Sequence, residues 1–337
     1  MILIPKYEDR TIHTTSNVSM GGRYKMTKGI NDGYYDADLG LYLKGNDIIT
    51  GGVDWFDNII TNYGLNAINN ATVQTLADNC HVGEGTTPAV VGDTSLETWV
   101  AGTVGQGAGA TKAAFGPTPY YNNYIQTKRF GEGVAEGNIS EVGMNNNYQS
   151  NTNMYSRALV SDGAGGTTTV PVLSTEWLDI VYEHRIYHDL TTADATGSVL
   201  FSGVSYDYIM RCAWSGSYQS YWDASDCRAI LIRASGLYGL RGGGTGTTLG
   251  AVTAGISNNG YDGCDTIGGG TYSAGTYTRD SYMTYGLNDG NFTGGLKAYD
   301  FFSGQGSHQI IWDPILPKNT SSVMTINHRI AWARATI

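Results

Sequence analysis

Over much of the chain, hydrophobic and polar positions alternate with a period of two, and that period predicts strands. The clearest run is Trp177–Tyr187. Leu178, Ile180, Tyr182, His184 and Ile186 share one face, while Asp179, Glu183 and Arg185 point the other way with Val181 among them. A half-buried strand of an antiparallel sheet has this pattern. Tyr124–Phe130, Asn138–Met144, Met154–Val160, Tyr206–Trp214, Cys227–Arg233 and a closing run from Val323 to Arg334 read as further strands. One stretch has helical spacing instead. Phe56, Ile59, Ile60, Tyr63 and Ile68 predict a helix at about 54–68, with Asp54 as its N-cap. Ala71–Asp78 reads as a separate helical piece. Residues 1–50 are polar and turn-rich, with reversals at Gly21-Gly22 and Asn31-Asp32-Gly33, and read as an extended N-terminal arm. Residues 83–118 read as a long surface loop rich in Gly, Thr, Ala and Pro. Residues 234–276 carry hairpin-type turns at Asn259-Gly260 and Asp262-Gly263.

The pattern repeats. Pro171-Val172-Leu173 precedes His184-Arg185-Ile186, and Pro314-Ile315-Leu316 precedes His328-Arg329-Ile330 at nearly the same spacing. Aligning the two His-Arg-Ile triplets superposes Ile180 on Met324, Tyr182 on Ile326 and Ile186 on Ile330, so the inward faces match. Upstream, Gly137-Asn138-Ile139-Ser140 pairs with Gly290-Asn291-Phe292-Thr293. The expected fold is mainly β: two related antiparallel β-sandwich, jelly-roll-like domains with an extended N-terminal arm and one short helix. The arm is 1–50, the first sandwich 51–192 and the second 193–337.

Composition narrows the function classes. Of 337 residues, 47 are glycine, which disfavours an all-helical chain. Charged residues are 15 % of the chain and there are 24 tyrosines, a balance that argues against disorder. The formal net charge of −10 repels phosphate backbones, so no nucleic-acid partner is expected. No stretch approaches about 18 apolar residues, so no membrane span is expected. Met1-Ile2-Leu3-Ile4-Pro5-Lys6 lacks the basic start and apolar core of a signal peptide. The four cysteines, Cys80, Cys212, Cys227 and Cys264, form no CxxC pair, and free thiols in a reducing cytoplasm are expected. A Cys212–Cys227 disulfide stays open.

Candidate chemistry is sparse. There is no G-x-S-x-G elbow. His184 and His328 sit in strand patterns and read as core or sheet histidines. Glu132, Glu136 and Glu141 read as solvated strand-edge carboxylates rather than a glycosidase pair, whose geometry spacing alone does not show. Asp262 and Asp265 lack EF-hand spacing, and Arg241-Gly242-Gly243-Gly244-Thr245-Gly246 lacks the Lys-Ser/Thr of a P-loop. No catalytic, cofactor-binding or metal-binding residue is expected. Tyrosines in polar, glycine-bearing stretches suit contact surfaces, and Tyr218, Tyr221 and Trp222 are the candidate ligand or partner contacts.

Three segments carry a family resemblance. They are Trp55-Phe56-Asp57-Asn58-Ile59-Ile60-Thr61-Asn62-Tyr63-Gly64-Leu65-Asn66; His81-Val82-Gly83-Glu84-Gly85-Thr86-Thr87-Pro88 followed by Asp93-Thr94-Ser95-Leu96; and Ile139-Ser140-Glu141-Val142-Gly143 leading to Ser156-Arg157-Ala158-Leu159. The series resembles structural proteins of tailed-bacteriophage virions, of the tail-fibre or baseplate-associated type. It departs from that pattern at Ile60 and at Thr87-Pro88, which closes the turn one residue early. The resemblance covers about residues 55–190 and implies a non-enzymatic virion component, assembled in the host cytoplasm, that works by contact. Its implied partners are copies of itself, as a trimer or a ring, other tail or virion proteins, and a host-surface glycan. A host-receptor or glycan-binding module, a phage polysaccharide depolymerase, and a head decoration or fibre protein stay open as alternatives.

Overall fold

A computed structural model describes residues 8–36, 41–43, 45–69, 73–104, 111–115, 121–188, 194–201, 204–212, 241–244, 266–269, 272–303 and 306–335. Strand takes 57 % and helix 4 % of the chain, so the class is mainly β. Among the described residues the first elements are β1 (Glu8–Asn31), β2 (Tyr34–Asp36), β3 (Leu41–Leu43), β4 (Asp47–Asp57), β5 (Ile59–Ile60), α1 (Asn62–Ala67), α2 (Val73–Leu76), β6 (Asn79–Gly83), β7 (Trp99–Thr103), β8 (Thr111–Phe115) and β9 (Tyr121–Phe130). There follow β10 (Gly137–Ile139), β11 (Glu141–Asn145), β12 (Ser156–Leu159), β13 (Val170–Val172), β14 (Trp177–His188), β15 (Ala195–Phe201) and β16 (Val204–Cys212). The last are β17 (Arg241–Gly244), β18 (Thr266–Gly269), β19 (Thr278–Tyr285), β20 (Leu296–Ser303), β21 (Gly306–Leu316) and β22 (Ser322–Arg334). Among the described residues no helix is long and apolar enough to cross a membrane.

The largest sheet has the order β18-β19-β22-β1-β14-β9-β8, with β4 also paired to β1. Two five-stranded sheets have the orders β5-β12-β11-β6-β7 and β15-β16-β21-β20-β17. Pairs β10-β13 and β2-β3 complete the set. The chain divides into two compact units. One takes 20–113, 123–185 and 334–337; the other takes 1–19, 114–122 and 186–333. Residues 8–31, read as part of an arm, are thus a strand of the main sheet, and they contribute to both units.

In the unit centred on residues 20–185, the two-residue period decides the core. Val18 apart, the inward positions of β1 are Met20, Tyr24 and Met26, all buried. On β14, Leu178, Ile180, Tyr182, His184 and Ile186 are all fully buried, as the alternation requires. Each large apolar side chain removed from water stabilises by roughly 1.5–3 kcal/mol. Strands β6 and β11 are buried along their whole length. As inner strands they have both edges paired, and burial of every residue means that both faces are covered too, so their polar side chains need internal partners. In the other unit, Met324, Ile326 and Trp332 of β22 are buried, and so are Tyr285, Leu296, Ile310, Trp312 and Leu316. Arg329 lies on the outward face and pairs with Asp280, its direct cross-strand partner on β19, at 2.6 and 2.8 Å. The side chains of Ile330 and His328 lie outside the described residues.

The helix expected at about 54–68 is shorter. Residues 54–57 finish β4, and the helix begins at Asn62. The reason is non-local. β1 offers a hydrogen-bonding edge that pairs Tyr24 with Phe56 and Arg23 with Asp57, and this pairing overrides a weak local helix preference. Asp54 is therefore not a cap; it is exposed and meets Lys25 at 3.0 Å. Thr61 caps instead, its hydroxyl accepting from the Gly64 N–H at 2.9 Å. A further turn, α2, falls within the second helical piece. The stretch read as one long loop, 83–118, contains β7 and β8; residues 84–98 carry no strand.

Candidate functional site

Tyr218, Tyr221 and Trp222 lie in 213–240, outside the described residues, as do Tyr120, Tyr261, Cys227, Cys264, Asp262 and Asp265. Three other tyrosines from polar, glycine-bearing stretches take different roles. Tyr285 is fully buried, Tyr272 stacks on Trp332 at 5.6 Å between ring centroids, and Tyr282 is exposed. Among the described residues no group of three His, Cys, Asp or Glu side chains is placed to hold a metal ion. Cys80 is a buried free thiol, and burial pushes its pKa up, away from the reactive thiolate.

The polar centre of the structure is a different set. Glu141 opens β11 and is fully buried. It is not the solvated edge carboxylate that the sequence pattern suggests; burial is possible because protein donors replace water. One carboxylate oxygen accepts from Gly85 N at 3.0 Å and Thr98 N at 2.7 Å. The other accepts from Glu97 N at 3.0 Å and from Arg157 Nε and Nη2 at 3.0 and 2.8 Å. Glu132 and Glu136 are exposed, as expected.

Arg157 comes from β12, where it is 3 % exposed. Strands β11 and β12 pair with Gly143 opposite Arg157, which brings the guanidinium alongside Glu141. Its remaining nitrogen donates to Asp93 at 2.7 Å, and Nη2 also donates to the Thr87 carbonyl at 3.0 Å. Asp93 in turn accepts from Val90 N at 2.8 Å. Glu97 accepts from Thr86 N, Thr87 N and the Thr87 hydroxyl at 2.7–2.8 Å. The Ser140 hydroxyl donates to Gly85 O at 2.8 Å. A β-carbon at Gly85 would stand 2.4 Å from the Glu141 carboxylate, so only glycine permits this approach. The result is a clamp. It fastens loop 84–98 to the sheet through charged side chains that bond to one another and to the loop backbone.

A second polar centre surrounds Glu183. The sequence places it on the outward face of β14, yet it is 1 % exposed. Burial works against its ionisation, but Arg185, Asn123 and Arg23 outweigh that and hold its pKa below the usual carboxylate range. Arg23 also lies over the Trp55 ring at 4.2 Å. His184 is a core histidine, with the Tyr155 hydroxyl 3.3 Å from Nδ1. Burial depresses its pKa to about 3, against the opposing pull of the neighbouring Glu183 charge.

The clamp takes Gly85, Thr87, Asp93, Glu141 and Arg157 from two of the three segments that carry the family resemblance; residues 55–66 lie apart from these contacts. Along the chain the clamp residues fall in separate motif segments, and nothing local shows that they meet. The available signal was a charge inside an otherwise apolar strand, as at Arg157 before Ala158-Leu159 and at Glu141 before Val142. No family model, curated protein or solved structure matches the chain.

Proposed function

We propose that this chain is a non-enzymatic structural component of a tailed-phage particle, a tail, tail-fibre or baseplate protein that assembles with copies of itself and with other virion proteins. One observation carries the reading. Segments spread over residues 85–157 resemble virion-protein motifs, and their charged and glycine positions converge on one buried clamp. The chemistry of the clamp agrees. A buried ion pair adds little net stability but penalises every other arrangement of its loop. A particle component needs a loop held in one shape. Glu141, at the centre of the clamp, accepts five hydrogen bonds from protein donors, which suits holding rather than proton transfer.

The finer architecture belongs to the same proposal: two related, jelly-roll-like β-sandwich domains. Its support is the matched pattern of β14 and β22. Each follows a Pro-x-Leu segment and buries alternate residues, and each is flanked in hydrogen-bonding order by a strand pair, β9-β8 and β19-β18. The proposed location is the virion, after assembly in the host cytoplasm.

Mass spectrometry of purified particles tests the reading, with immunogold labelling to separate tail from head. The chain is expected among the particle proteins at a stoichiometric level. Its absence from particles made by cells that express it would sink the proposal.

A further inference from the structure

In the unit that takes 186–333, two turns meet where the chain passes between sheets. Residues 286–295 join β19 to β20, and residues 317–321 join β21 to β22. β19 and β22 belong to the main sheet, β20 and β21 to a five-stranded one, so the two turns make the same passage in opposite directions. Pairing of β20 with β21 sets Leu296 opposite Leu316 at the root of both turns. Beside that pair, Gly295 has a φ of +107°, and a β-carbon there would stand 2.2 Å from the Leu316 carbonyl oxygen. Only glycine lets the two turns come this close.

Each turn brings one reactive group to the contact. Lys318 is 2 % exposed, and its Nζ donates to Asn291 Oδ1 at 2.8 Å and to Asn319 O at 3.0 Å. Both acceptors are neutral oxygens. The Asn291 carboxamide is half-buried and held from its other end, where Nδ2 donates to Leu287 O at 2.6 Å. The lysine is held by its own turn. Lys318 N donates to Leu316 O at 2.9 Å, and Asn319 Oδ1 accepts from Ser321 N at 2.9 Å and the Ser321 hydroxyl at 2.6 Å. An amine and a carboxamide 27 positions apart in the chain are thus fixed against each other, with the amine out of water.

We propose that Lys318 and Asn291 are a self-modification site, at which the lysine amine displaces the side-chain amide nitrogen to form an intramolecular isopeptide bond. The proposal stands on this pair of turns and not on the virion reading. The step balances without an oxidant or a cofactor. The Lys318 ammonium passes one proton along its hydrogen bond to Oδ1, and the freed electron pair forms the Nζ–Cγ bond. A second Nζ proton moves to Nδ2. The Cγ–Nδ2 bond then breaks with its electron pair on nitrogen, and ammonia leaves, taking up the Oδ1 proton as it goes. One ammonium and one carboxamide become one secondary amide and one ammonium ion. Fixed geometry supplies the rate, since well-oriented intramolecular partners reach effective molarities of about 10⁵–10⁸ M. Removal of a charge from the interior supplies part of the driving force, because the released ammonium carries it into water.

Intact-mass spectrometry of the purified full chain tests this directly. The expected value lies about 17 Da below the mass of the sequence, the loss of one ammonia, and proteolytic digestion is expected to give residues 291 and 318 in a single branched peptide. Lys318→Arg and Asn291→Ala are each expected to restore the sequence mass. Each is also expected to lower the melting temperature by about 5 °C or more, because the bond closes a loop around β20 and β21. The wild-type mass decides the matter even if neither variant folds. A mass equal to that of the sequence, with the two residues recovered in separate unmodified peptides, overturns the proposal. So does an ammonia loss that persists in Lys318→Arg, which would assign it to a cyclic imide at an asparagine instead of a cross-link. A cross-linked chain absent from particles would leave this proposal standing and remove the virion one.

Discussion

Glu141 and Arg157 show how much one buried pair can govern. Removing either partner leaves the other charge without its counterpart in a site that excludes water. Glu141→Ala is expected to destabilise the unit centred on residues 20–185 by about 3–5 kcal/mol in urea denaturation. Arg157→Lys is expected to fare badly too, because an ammonium cannot serve Glu141, Asp93 and Thr87 from one planar group. A loss below about 1 kcal/mol in either variant would mean that the clamp is not formed in solution. His184 makes a pH prediction. Its folded pKa of about 3 lies below the unfolded value of roughly 6.5, so the unfolded chain binds more protons between these limits. Stability is then complete above pH 6.5 and falls as pH drops towards 3, at up to about 1.4 kcal/mol per pH unit. His81, also held low by burial, adds a slope of the same sign. His184→Gln should flatten the dependence of the urea midpoint on pH between 7 and 4.5; an unchanged slope would show that another group carries the linkage. The core role of His184 was legible in the alternation of β14. The burial of Glu141 and Glu183 was not, because a carboxylate's partners lie on other strands.

At the scale of elements, the two-residue period located β9, β11, β12, β14, β16 and β22 and, where side chains are described, the buried faces of β14 and β22. Ile180→Asp and Ile326→Asp each place an unpaired carboxylate at a fully buried position, at a cost of several kcal/mol. Each is expected to abolish cooperative folding of its own unit, read as new cleavage sites in limited proteolysis mapped by mass spectrometry. Protection equal to wild type would contradict the assigned faces. The short helix gives a smaller effect. Thr61→Ala removes the hydroxyl that accepts from Gly64 N, and a loss of about 1 kcal/mol is expected, whereas Asp54→Ala should be near neutral. The reverse order would restore the longer helix read from the sequence. That reading failed because Phe56, Ile59 and Ile60 satisfy helical and strand patterns equally over so short a run.

For the whole molecule, the assembly reading has a direct consequence. β4 pairs with β1 and, among the described residues, with no other strand, and its Ile48 and Ile49 are exposed. A long edge with exposed apolar residues is the kind of surface that self-association covers. Multi-angle light scattering on the full chain is expected to give a defined oligomer, a trimer or a ring, that resists dilution. A monomer at all concentrations would count against assembly. Symmetry also sorts the roles, since a closed ring and a threefold fibre present different surfaces to their neighbours.

What the sequence determined by itself is what local physics controls. Alternation is a property of consecutive residues, so it marks strands, their buried faces and the mainly-β class without reference to any partner. Turn-rich composition and low charge likewise follow from counting. Only the tertiary structure decided which strand pairs with which. It alone placed the N-terminal strand inside the main sheet, began the helix at Asn62 instead of near residue 54, and brought Asp93, Glu141 and Arg157 together from three distant segments. The physical reason is that pairing and charge burial depend on contacts between residues far apart in the chain. Their free energy exceeds local preference wherever a hydrogen-bonding edge or a buried charge demands a partner.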